Sequence, residues 1–146
     1  MKNHVGIMSV VVIFVLVVSM LITSKPMGFH AYAMEESPEL IYCDNVSEYV
    51  RDLTLKYHHE GRDAKNFIKV IVPNLIQKFD KKMMETLGYT VSNDPIFRSF
   101  NNDIINILYN SPMYESNYSA SGRHARDMQN AVFIKCLKDL GVDGFN

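Results

Sequence analysis

The chain has no excess of charge, no glycine-rich loop and only two cysteines among its 146 residues. Each shortage narrows what it can be. Fifteen Lys and Arg oppose sixteen Asp and Glu, for a formal charge of −1. Phosphate neutralisation needs a basic face, so this balance argues against a nucleic-acid partner and gives no support to an anionic membrane surface. No loop has the glycines to cradle a phosphate, because Gly141-Val142-Asp143-Gly144 stands at the chain end. No serine sits in a G-x-S-x-G elbow, and no strand pair with hairpin chemistry is visible. With 47% hydrophobic and 21% charged residues, the chain is neither a disordered tail nor a polytopic membrane protein.

The apolar residues are unevenly spread. From Val5 to Ile22 nearly every residue is Val, Ile, Leu, Met or Phe, after Lys2 and before Thr23-Ser24-Lys25-Pro26. A basic start, an apolar run and the small-x-small step Ala31-Tyr32-Ala33 predict a secretory signal over 1–33, cut after Ala33. The alternative is an uncleaved N-terminal anchor, since 18 residues lie at the edge of spanning length. In both cases residues 34–146 form one domain on the far side of the membrane, periplasmic or extracellular, with no membrane contact beyond the N-terminal segment. That domain carries 13 basic and 16 acidic groups, a formal charge of −3 on 113 residues. Cys43 lies too far beyond the apolar run for a lipoprotein.

Four amphipathic segments follow, separated by breakers. Ser37-Pro38 is a cap followed by a proline at the first helical position. Leu40, Cys43, Val46, Val50, Leu53 and Tyr57 then recur at three- and four-residue steps until Gly61. Asp63 opens a second segment through Phe67, Ile71, Leu75 and Phe79 to Gly88, which Pro73 is expected to kink or divide. Val70-Ile71-Val72 could form a short strand, but the helical period on both sides favours helix. Asp94-Pro95 opens the third, with Phe97, Phe100, Ile104, Ile107 and Leu108 inward and Asn101, Asn102 and Asn106 outward, and Ser111-Pro112 ends it. A polar loop from Met113 to Gly122 precedes a fourth helix from about Arg123 to Leu140, with Met128, Val132, Cys136 and Leu140 at four-residue spacing and Gly141 as its stop.

The two cysteines fall on the apolar faces of the first and last helices. An even, minimal pair in an oxidising compartment reads as one disulfide, Cys43–Cys136. The expected fold is all-α: a compact bundle of four to five helices whose first and last members are covalently joined.

Chemistry-bearing clusters are few. His58-His59-Glu60 with Asp63 is the densest set of metal ligands, but adjacent histidines point about 100° apart on a helix, and Gly61 interrupts the His59–Asp63 spacing. An enzyme built on His58, His59 and His124 requires those side chains to converge. No catalytic residue, no metal and no cofactor is expected. Asn45-Val46-Ser47 and Asn117-Tyr118-Ser119 match the N-glycosylation sequon. Two surfaces could bind a partner. Asp44, Glu48 and Asp52 line up at i, i+4 and i+8, repelling by a few tenths of a kcal/mol per pair unless Arg51 and Lys56 relieve them. Tyr114 and Tyr118 in the polar loop offer rigid aromatic anchors.

The segment Phe133-Ile134-Lys135-Cys136-Leu137, with a first-helix cysteine far upstream, resembles the type VI secretion amidase-immunity family. The resemblance implies a small, exported, all-helical, cysteine-paired protein of the bacterial periplasm. Such proteins neutralise a cell-wall-degrading toxin by inserting a loop into its cleft. It covers only this short stretch, so no inhibitory residue carries over. The expectation is an exported helical binding protein acting on a protein partner, an immunity-type inhibitor among the options. The alternative is a structural or stress-related envelope protein without catalytic activity, whose helices associate as a homodimer through an apolar patch left after the bundle closes.

Overall fold

A computed structural model describes residues 37–142, and the expected signal or anchor over 1–33 lies outside the described residues. Local chemistry sets each helix end. The Ser37 hydroxyl accepts the Leu40 N–H at 3.2 Å and opens α1 (Pro38–Glu60). Asp63 caps a single turn, Ala64–Asn66, by accepting the Asn66 N–H at 3.0 Å. This runs through a π-helical turn, Phe67–Ile71, into α2 (Val72–Leu87). Pro73 explains the π turn. It has no N–H, and its ring crowds the carbonyl four residues back, so the preceding turn widens until the Val72 N–H reaches Phe67 O. The segment therefore stays helical through Val70-Ile71-Val72.

The turn after α2 is held by Asp80, whose Oδ1 accepts the N–H groups of Val91 and Ser92 at 2.9 and 3.1 Å. Asp94 then caps α3 (Pro95–Tyr109). The last helix, α4 (Tyr118–Asp139), starts five residues earlier than its apolar period suggests. Asn117 caps it by accepting the Ala120 N–H at 2.9 Å, and its first turns carry Ser and Ala in place of large apolar residues. Gly141, at φ +70°, closes it with a Val142 N–H to Leu137 O bond of 3.0 Å.

The result is an all-α bundle of four helices with no strand among the described residues. Cys43 and Cys136 form a disulfide with Cα atoms 5.6 Å apart, joining the first and last helices. The described residues, 37–142, all belong to one compact unit. Among the described residues no helix is long and apolar enough to cross a membrane.

α1 is the hub. One of its faces sends Val46, Tyr49, Val50, Leu53 and Tyr57 into a core completed by Phe67, Phe79 and Met83 and by Phe97, Ile104 and Leu108 of α3. Tyr49 lies between Phe79 and Phe97, at ring-centroid distances of 5.0 and 5.7 Å. Each such side chain contributes roughly 1.5–3 kcal/mol by leaving water. The face toward α4 is different in kind. Cys43 and His58 each bond to α4, and between them Ser47 and Thr54 are as fully buried as the two they separate. Their hydroxyls donate back to Asp44 O and Val50 O at 2.8 and 2.7 Å, so small polar side chains are buried without an unmet hydrogen bond.

Asn101 corrects the expectation of a wet face. It is buried, and its Oδ1 accepts the Tyr49 hydroxyl at 2.5 Å, while burial pushes the Tyr49 pKa upward. Replacing Tyr49 with Phe keeps the ring packing but strands this carbonyl. We expect a loss of about 1–3 kcal/mol, read from urea unfolding at neutral pH.

Candidate functional site

At the C-terminal end of α1 the chain gathers two histidines, a loop and the head of α4. His58 follows Tyr57 in sequence but occupies the α4-facing stripe, and it is fully buried. Its Nδ1 accepts the backbone N–H of Tyr114 at 3.2 Å, and its Nε2 stands 2.9 Å from His124 Nδ1. The first bond fixes the second. A neutral His58 that accepts at Nδ1 carries its proton on Nε2 and donates it to His124, which leaves the His124 proton on its own Nε2. Burial, then the neighbouring His124 and His59, lower the His58 pKa to about 4.

The rest of the loop over 110–117 is tied down around this pair. The Tyr114 ring packs on His58 at 5.2 Å and meets His124 edge-on at 6.1 Å. Glu115 pairs with Arg62, and the Tyr109 hydroxyl donates to Gly61 O at 3.2 Å. Gly61 is required by close approach: a Cβ there would stand 2.4 Å from Tyr57 O and 3.1 Å from the Met113 methyl group. Above this base Tyr118 opens α4, 76% exposed, with its ring 5.3 Å from that of His59.

Of the two expected tyrosine anchors, Tyr114 folds back on the histidine pair and Tyr118 faces outward. The acidic row lies on another face of α1. Glu48 pairs with Lys82, and Asp52 accepts from Lys78 at 2.8 Å, so α2 supplies its main counter-charges. Arg51 adds a contact to Asp52 at 3.3 Å, Lys56 pairs with Glu60, and Asp44 is exposed. The Asn45 sequon is buried, its amide donating to Thr86 Oγ1 at 2.8 Å. The structure thus brings His58 and His124 together and leaves His59 stacked outside. Among the described residues no three His, Cys, Asp or Glu side chains are placed to hold one metal ion.

The His58–His124 bond is not legible from spacing along either helix, since the two residues lie 66 positions apart. The available signal was positional: His58 lies four residues beyond Thr54 and eleven beyond Ser47, continuing the stripe that Cys43 begins. No protein-family model, no curated protein and no solved structure matches this chain.

Proposed function

We propose that this protein is an exported helical binding protein that engages a protein partner through the head of α4 and the loop before it, as an immunity-type inhibitor of a secreted toxin does. One observation carries the reading: Tyr118 is held exposed on His59, above a loop latched to the core through Tyr114 and His58. An aromatic side chain fixed before binding loses little entropy on contact, which is how anchor residues gain affinity. In this reading the histidine pair is a latch and not a catalytic base, because both ring nitrogens of His58 are engaged. The Cys43–Cys136 bond agrees with an oxidising compartment, where such bonds persist.

The test is affinity capture from an envelope extract with the full chain tagged at its C-terminus, beside Tyr118→Ala and Tyr114→Ala/Tyr118→Ala. Tyr118→Ala should weaken the partner's retention at least about tenfold without shifting the melting temperature. The loop variant should lose both retention and some stability. Identical capture by all three chains, or recovery of the protein from the cytosol, overturns the proposal.

A further inference from the structure

At the opposite end of α1, where it meets α3 and α4, lies an apolar groove of about 270 Å³. Tyr42, Val46, Phe97, Phe100, Val132 and Leu140 line it. Ile96 stands at its edge, 78% exposed, in a first turn held rigid by the Asp94 cap. A dry cavity of about 150 Å³ holds one benzene ring, so the groove has room for one or two apolar side chains of a protein.

We infer that the occupant is a second copy of this chain. The groove's own edge presents a knob of matching chemistry, because Ile96 is a branched apolar side chain left exposed beside an apolar trough that is unfilled among the described residues. The charges on the rim point the same way. Lys135 and Asp139, both lining the groove, lie one turn apart on α4, with Lys135 Nζ 2.9 Å from Asp139 Oδ2 and both side chains mostly exposed. A row holding one charge of each sign is complementary to itself under a two-fold axis, so Lys135 of one copy faces Asp139 of the other. A partner of a single charge sign would match only half of that row. The arrangement also leaves the tyrosine site free. Tyr42 and His58 are separated by about 24 Å of helix, so a dimer closed on the groove exposes two copies of that site, and tethered sites bind by avidity.

Sedimentation velocity on the oxidised 34–146 chain, which contains the compact unit and its core, tests this against concentration. The small patch predicts a reversible dimer of micromolar strength. Ile96→Lys should weaken it at least about tenfold. Lys135→Glu should weaken it about fivefold at low salt, and adding Asp139→Lys should restore it by reversing the rim. These side chains are exposed, so thermal melting at dilute concentration should not move. A chain that stays monomeric at about millimolar concentration overturns the inference. So does a dimer indifferent to Ile96→Lys, or a charge swap that fails to restore association.

Discussion

Reducing the Cys43–Cys136 bond should remove about 4–5 kcal/mol of stability, the loop-closure entropy of a cross-link spanning 93 residues. A domain of this size has only about 5–15 kcal/mol in total. The melting temperature should therefore fall by roughly 15–30 °C in a scan with and without a thiol reductant. Where the loss is felt first follows from the packing. The main buried cluster is built by α1, the Phe67–Leu87 segment, Val91 and α3, and α4 packs against it through the partly buried Met128 and Val132. Fully buried residues on α4 are just Ser121, Ala125 and Leu137. That face carries little transfer free energy compared with the aromatic core. Amides of residues 118–139 should lose protection against hydrogen exchange ahead of α1 when the bond is reduced, and Cys136→Ser should reproduce it. Equal protection of α4 and α1 in the reduced protein would show that packing alone holds α4.

The same difference between faces explains what could be read from the residues. Ser37-Pro38 and Asp94-Pro95 are local signals, and they mark helix starts without any tertiary information. The Cys43–Cys136 bond was legible from the count of an even, minimal pair on the first and last helices, even though Cys43 lies on the stripe of Ser47, Thr54 and His58 and not on the apolar face. The α4-facing side of α1 was not legible, because Ser47, Thr54 and His58 are residue types that usually face water, and only their spacing betrays a second buried stripe. The early start of α4 was hidden for the same reason, since Ser121 and Ala125 pack without contributing a hydrophobic period. The counter-charges to Asp52 and Glu48 come from Lys78 and Lys82, 26 and 34 residues away, a pairing that neighbour arithmetic along one helix cannot reach. Tyr118 was picked out as an anchor by residue type, but the histidines that hold its loop in place emerge only in three dimensions.

Acidification should loosen that loop through His58. In the unfolded chain a histidine takes up its proton near pH 6.5, whereas folded His58 resists until about pH 4 because it is buried beside His124 and His59. Between those values the unfolded state binds more protons than the folded one, so stability is complete above about pH 6.5 and drains away as the pH falls. The loss attributable to His58 should reach about 2 kcal/mol near pH 5 and approach about 3 kcal/mol near pH 4. The groups facing the ring are Tyr57 and His59 on α1, Tyr114 from the loop and His124 on α4. No carboxylate is among them to favour the charged form. His58→Asn separates titration from hydrogen bonding. Its carbonyl can still accept the Tyr114 N–H, but it carries no proton between pH 7.5 and 5. Urea unfolding at those two pH values should give the native protein a loss of about 2 kcal/mol that the variant lacks. His58→Leu, which leaves the Tyr114 N–H without a partner, should be about 1–3 kcal/mol less stable at both. The same pH drop should speed exchange of the Tyr114 amide in the native protein and leave it unchanged in His58→Asn. A native protein equally stable at both pH values would mean that the imidazole pair is not what fixes the loop.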